Sequence, residues 1–326
     1  MQKVILRADG SSQIGMGHFM RTLALGEMLK DAFHCIYATR TPNEYQVKEM
    51  TSVCKEHISL PGDDNHFQAF LSYLKGDEIV VLDNYFYTTA YQQEIRKKGC
   101  KLVCIDDIHE HYFSADVIIN HNPAIRESDY QRDSSAKLFL GSDYALLRSA
   151  FLEKAAAGTA MRPLSEIMIL IGGADPLDIT RKAALACLGN SSVQTLHIIT
   201  GNSYAHPLDW TKDDSRIRFY RNLSTHDLIE VMKSSGLAIV PASTVAFETL
   251  CIGMKVACGY FVPNQESFYH YLANNRFVYG LGDLTSGTIN ISSIFSSIEN
   301  KSFTFTGRKL VDGRQKERFL SIFKEI

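Results

Sequence analysis

The chain has 326 residues, 45% of them hydrophobic and 21% charged, and its 34 Lys and Arg against 36 Asp and Glu leave a net charge of −2. At roughly 150 residues per domain this length gives two domains, each able to bury its own core, and the composition excludes a disordered chain. A near-neutral total also excludes a dedicated binder of nucleic acid or anionic membrane, since both need a basic face.

The first apolar run, Met1-Gln-Lys-Val-Ile-Leu, meets Arg7 before a signal-peptide core can develop, and nowhere do about 18 apolar residues run together. Seven cysteines, Cys35, Cys54, Cys100, Cys104, Cys187, Cys251 and Cys258, lack small-domain spacing and read as reduced thiols. These features predict a soluble, cytoplasmic protein. Along the chain, short runs rich in Val and Ile alternate with helix-period segments, the pattern of parallel strands with crossover helices. Strands are predicted over residues 4–8, 34–39, 78–84, 102–106, 117–120 and 138–140. Helices are predicted over 19–30 and 89–98, the second closed by Gly99. A polar, small-residue stretch over 149–166, carrying Gly158 and Pro163, marks a boundary, which divides the chain into domains 1–155 and 156–326. The alternation then restarts: strand 167–171, helix 179–188, strands 195–200 and 216–221, helix 227–233, strand 237–240, helix 245–252, strand 256–260 and helix 266–273. A basic amphipathic stretch over 308–326 reads as a last surface helix, placed so that it could pack back on the first domain. The predicted class is α/β, with two doubly wound Rossmann-like domains and an interdomain cleft.

Ligands of open α/β sheets bind outside the carboxyl ends of the strands, so the strand-to-helix loops carry the candidates. The first is Arg7-Ala-Asp-Gly-Ser-Ser-Gln-Ile-Gly-Met-Gly-His-Phe-Met-Arg21, with Gly10, Gly15 and Gly17 ahead of a helix starting near His18. Its glycines admit close approach of a ligand, the helix start attracts an anion, and His18 is an imidazole that can accept a proton there. Spacing alone equally fits a glycine-rich turn with a capping histidine, and it is not the dinucleotide fingerprint. In the second loop Gly172-Gly173 precede Asp175 and Asp178, an anion cradle in form or an ordinary tight turn. The third ends a strand with Ser243 and Thr244, and Glu248 shares a helix face with Thr244. Glu248 is placed for a ribose, although alone it reads as a solvated helix residue. Asp83-Asn84-Tyr85 and Asn264-Gln265-Glu266 are further polar clusters at strand ends. Asp106, Asp107, His109, His111 and His121 meet no fixed ligand spacing, and no metal is predicted. A Walker A lysine motif and a G-x-S-x-G elbow are absent.

The Arg7–Arg21 block resembles the opening signature of the UDP-sugar hydrolases of pseudaminic acid biosynthesis, relatives of the MurG-type glycosyltransferases with the GT-B fold. Val81-Leu-Asp-Asn-Tyr85, Ile105-Asp-Asp107, Tyr144-Ala-Leu-Leu-Arg148, Ile171-Gly-Gly-Ala-Asp175, Ser243 to Glu248 and Asn264-Gln-Glu-Ser267 follow in the family's order. Ala174 and Asn84 stand where the family pattern has Thr and His. The resemblance implies hydrolysis of UDP-2,4-diacetamido-2,4,6-trideoxy-β-L-altropyranose, water attacking the anomeric carbon and UDP leaving. It implies His18 as general base, Gly15, Gly17, Arg21, Tyr85 and Asn264 at the sugar, and Gly172, Gly173, Ser243, Thr244 and Glu248 at UDP. No cofactor or metal is implied. A glycosyl diphosphate already has a good leaving group, so one positioned base can replace the two carboxylates of ordinary glycosidases. Two alternatives share the fold. A GT-B glycosyltransferase would release UDP only with an acceptor, and a non-catalytic nucleotide-sugar binder would hold UDP and make no product.

Overall fold

A computed structural model describes residues 1–11, 15–155, 162–211 and 214–326. Residues 12–14 of the first glycine loop, and Gly158 with the rest of 156–161, lie outside the described residues. The chain divides into two compact units, Met1–Ser149 with Arg314–Ile326, and Ala150–Gly313.

The first unit begins β1 (Lys3–Ala8), α1 (Gly17–Leu29), β2 (His34–Arg40), α2 (Glu44–Val53), β3 (Glu56–Leu60) and α3 (Asn65–Tyr73). It continues β4 (Ile79–Asp83), α4 (Thr89–Lys97), β5 (Lys101–Ile105), β6 (Val117–Asn120) and β7 (Lys137–Leu140). The strands form one parallel sheet in the order β3-β2-β1-β4-β5-β6-β7. Its central strands are unbroken apolar runs, Val4-Ile-Leu and Ile79-Val-Val-Leu, because helices cover both of their faces. The helix α5 (Ser149–Ala155) starts at the unit boundary, and the second unit follows with β8 (Glu166–Ile169), α6 (Ile179–Leu188), β9 (Thr195–Thr200), β10 (Ile217–Arg221), α7 (Thr225–Ser234) and β11 (Leu237–Pro241). It ends with α8 (Thr244–Ile252), β12 (Lys255–Tyr260), α9 (Pro263–Asn274), β13 (Tyr279–Asp283) and α10 (Ile291–Glu299). This sheet is also parallel, in the order β10-β9-β8-β11-β12-β13.

The last helix, α11 (Gln315–Glu325), lies in the first unit, the packing-back that its place at the end of the 156–326 segment left open, and it is shorter than the expected 308–326. Phe319, Ile322 and Phe323 bury one face of it, Phe323 lies edge-on to Phe33 at 6.1 Å, and Lys316 pairs with Asp31 at 2.8 Å. Other elements carried weak patterns. The edge strand β3 is Glu-His-Ile-Ser-Leu with four of five residues at least partly exposed, so it shows no apolar run. Two glycines interrupt β13, and α2 and α3 are short. No helix among the described residues is long and apolar enough to cross a membrane.

Both sheets place their loops alike. From β1 the first unit winds through β2 and β3 to one side, then restarts at β4 on the other, so the loops after β1 and β4 diverge. The second unit repeats this at β8 and β11. Such a switch point leaves a crevice at the carboxyl ends of the strands.

Candidate active site

In the first unit β1 and β4 pair with Ala8 opposite Asp83, which sets the start of α1 beside the end of β4. His18, Arg21 and Thr22, three and four residues apart on one face of α1, all reach the Asp83 carboxylate. His18 Nδ1 lies 2.7 Å from Asp83 Oδ1, Arg21 donates from Nε to Oδ2 at 2.7 Å and from Nη2 to Oδ1 at 2.6 Å, and the Thr22 hydroxyl donates to Oδ2 at 2.7 Å. Asp83 is fully buried. Burial opposes its ionisation, but the Arg21 charge and the bonds from Arg21 and His18 hold its carboxyl well below the usual carboxylate range. An ionised Asp83 can only accept, so Nδ1 of His18 carries a proton, and in the neutral ring it is Nε2 that presents the lone pair. A neutral imidazole is thus held in one tautomer by a buried carboxylate.

Tyr85 follows on the same strand end. Its ring meets His18 edge to face at 4.6 Å and its hydroxyl donates to Asp107 Oδ2 at 3.2 Å. Asp107 also receives Arg21 Nη1 at 2.9 Å. Each guanidinium nitrogen of Arg21 is therefore engaged by Asp83 or Asp107, and the side chain is buried, so Arg21 shapes the site from behind. Gly15, at φ 76°, takes a left-handed turn, and among the described residues nothing lies within 4 Å of where a side chain at Gly15 or Gly17 would begin. The Gly15 carbonyl accepts the Ser11 N–H at 3.2 Å, while the space beside both α-carbons is open among the described residues. Asn84 turns inward, its Oδ1 accepting the Asp9 N–H at 2.9 Å. Asp9 itself is buried between Arg7 and Arg40, and Arg7 Nη2 donates to His66 Nδ1 at 3.1 Å. This second network anchors the start of the His18 loop.

In the second unit Gly172 has φ 138°, which a side chain would strain, and neither Gly172 nor Gly173 has atoms in the space a Cβ would take. The two helix starts near them differ. The Asp175 carboxylate accepts from Ile179 N at 3.0 Å and Thr180 N at 2.7 Å, so the chain's own anion occupies the first amides of α6. The cradle expected at that helix is thereby filled, and only the glycine backbone ahead of it stays open. At α8, Ser243 is the N-cap but makes no side-chain cap bond, so its hydroxyl does not occupy the first amides of that helix. That helix offers donors to an anion. Glu248 lies one turn further and is mostly buried. Asn264 is on the first turn of α9, after the strand beside β11, and Phe268 of α9 stacks on Phe247 of α8 at 4.6 Å. Gly172, Gly173, Ser243, Thr244 and Asn264 therefore follow three neighbouring strands, at or beside the switch point.

Thr22 has no role in the sequence expectations, and Asp83 and Asp107 stand there in blocks of the family pattern with no role of their own, Asp107 also as a rejected metal ligand. The signal for Asp83 was present as an acidic residue closing a buried strand at the switch point. Asp106 is separate, buried and bonded to the Tyr130 hydroxyl at 2.8 Å. Among the described residues no three His, Cys, Asp or Glu side chains gather as a metal site would need.

No known protein family profile matches the chain. It is 25% identical over 285 residues to the UDP-2,4-diacetamido-2,4,6-trideoxy-β-L-altropyranose hydrolase of Campylobacter jejuni, covering 84% of this chain and 97% of that protein. It is 24% identical to the spore coat polysaccharide biosynthesis protein SpsG of Bacillus subtilis, covering 98% and 97%. A protein of Methanocaldococcus jannaschii with no assigned function is 24% identical over 82% of this chain, which spans only 57% of that protein's length. Among solved structures, Anabaena HepE in complex with UDP superposes with a TM-score of 0.64 at 11% identity, and Acinetobacter baumannii MurG with 0.61 at 13%, each over 100% of both chains. These likenesses show the fold, which is GT-B.

Proposed function

We propose that the protein hydrolyses a UDP-sugar, and that the sugar is a 2,4-diacetamido-2,4,6-trideoxyhexose of the pseudaminic acid pathway, released together with UDP in the cytoplasm. The observation that carries the reading is the His18–Asp83 pair at the first unit's switch point. His18 Nε2 takes a proton from water as the water oxygen bonds to the anomeric carbon, and the bond from that carbon to the diphosphate oxygen breaks. UDP leaves with the bonding pair, and Asp83 stabilises the imidazolium formed.

The second unit holds the nucleotide. The open amides of α8 and the Gly172-Gly173 backbone meet the diphosphate, and Glu248 accepts from the ribose hydroxyls. Gly15, Gly17, Tyr85 and Asn264 orient the sugar and the water, while Arg21 keeps the base in place. Backbone dipoles suffice for this leaving group, so UDP release is expected to be unaffected by EDTA. The named function of the Campylobacter relative supports the substrate class, and the UDP in the HepE structure supports the nucleotide.

The test is to incubate the protein with the UDP-diacetamido sugar in ¹⁸O-water. UDP release without an acceptor, with the label in the sugar, is expected. Label in UDP would place the attack at phosphorus, and release that needs an acceptor would make the protein a glycosyltransferase. UDP binding with no product would make it a binding protein.

A further inference from the structure

Arg21 links two carboxylates. Asp83 takes its Nε and Nη2, and Asp107, following the next strand β5, takes Nη1 at 2.9 Å. Asp107 forms no ion pair with any other cation among the described residues, and its Oδ1 is buried without a hydrogen-bond partner. The charges of the cluster can be counted. Asp83 and Arg21 alone cancel, so a proton arriving on His18 would leave a buried net charge of about +1, which a low-dielectric site opposes. With Asp107 the resting cluster carries about −1 and becomes neutral when His18 takes the proton.

We infer that Asp107 is a positioning residue for the base: acting through Arg21, it supplies the negative charge that lets His18 accept a proton, and it tethers Tyr85 against the imidazole. This rests on the reading of His18 as the base. The groups around His18 are Arg21 and Thr22 of α1, Asp83 and Tyr85 at the end of β4, Asp107 after β5, and His121 after β6. His121 is in electrostatic reach of Arg21, Asp107 and Asp83, and burial brings it down to about 4, so it enters this count as a neutral ring above that pH. Asp107 is then the one nearby group whose removal changes the sum without touching the His18–Asp83 bond.

The experiment is the pH dependence of UDP release by wild type, Asp107→Asn, Asp107→Glu and His18→Ala. In Asp107→Asn, kcat is expected to fall about ten- to a hundredfold with KM changed much less. The acidic limb of kcat/KM moves about one unit to lower pH, because a cluster without the second carboxylate holds its proton less tightly. Asp107→Glu keeps the charge and leaves the limb in place, whatever its effect on kcat. An Asn profile superimposable on wild type, or a Glu variant whose limb moves with that of Asn, overturns the inference. Should Asp107→Asn not fold, Asp107→Ser gives the same charge loss. Full activity in His18→Ala defeats the reading of the base itself, whereas an inactive His18→Ala beside an unshifted Asp107→Asn defeats only the role of Asp107.

Discussion

The two switch points have the same topology and opposite chemistry. In the first unit the crevice is built from side chains: His18, Arg21, Thr22, Asp83, Tyr85 and Asp107 are linked by hydrogen bonds, with two carboxylates sharing one guanidinium. In the second the open groups belong to the backbone, at Gly172, Gly173 and the uncapped start of α8. A fixed side-chain network suits moving a proton, because the acceptor stays in one tautomer while charge forms. Amides suit an anion that must be held and then released. The pair α6 and α8 makes the same point within one sheet, since Asp175 closes one helix start and Ser243 leaves the other open.

If the comparison is right, damage to the first crevice is electrostatic and large. Asp83→Asn leaves Arg21 short of a buried partner and is expected to cost about 3–5 kcal/mol of stability, together with UDP release, measured by thermal unfolding and product assay. Wild-type stability in this variant would break the account of a charged, interlocked site. The same unit is expected to fail in acid. Burial, Arg7 and Arg40 bring His66 down to about 4, because its Nδ1 must accept from Arg7 as a neutral ring. An unfolded histidine titrates near 6.5. Between those values the unfolded chain binds the extra proton, so stability falls as pH drops from about 6.5 towards 4. Asp83 adds to the trend in stronger acid, since its depressed carboxyl contributes stability above the ordinary carboxylate range that is lost as it protonates. Acid titrations monitored by circular dichroism should show His66→Gln with a shallower loss over that window than wild type.

Damage to the second crevice should appear in binding. Glu248→Gln is expected to raise KM about ten- to a hundredfold with kcat nearly unchanged, the size of a hydrogen bond to a charged group. A fall in kcat alone would remove Glu248 from the ribose. Gly172→Ala is expected to cost about 1–3 kcal/mol through backbone strain at φ 138°. Gly173→Ala meets open space and should leave stability within about 0.5 kcal/mol. Weaker UDP binding by Gly173→Ala in calorimetry would mark a backbone that the nucleotide approaches closely, and unchanged binding would move the diphosphate elsewhere.

The contrast also explains what could be read from the residues. Central strands such as Ile79–Asp83 and the glycine loop before His18 were visible because buried parallel strands are apolar runs and glycine clusters mark turns. The polar edge β3 and the glycine-broken β13 carry no such run; the amphipathic stretch shows that a last helix could return to the first domain, while the contacts of Phe319, Ile322 and Phe323 that fix it there are set by tertiary packing. His18 stood out as a lone imidazole in its loop. Its partner Asp83 is 65 residues away, and the pairing became visible only when β1 and β4 were seen to be neighbours. Asp175 is legible as a capping-type acidic residue, but only the structure shows that its carboxylate fills the helix start that the loop's glycines suggest as an anion cradle.

The central claim divides proton transfer from nucleotide binding, and one variant tests that division most directly. His18→Ala should bind UDP in calorimetry with the wild-type Kd while its rate of UDP release from the UDP-diacetamido sugar falls by about 10²–10⁴-fold, the range for a lost general base. Turnover at the wild-type rate by His18→Ala would contradict the account.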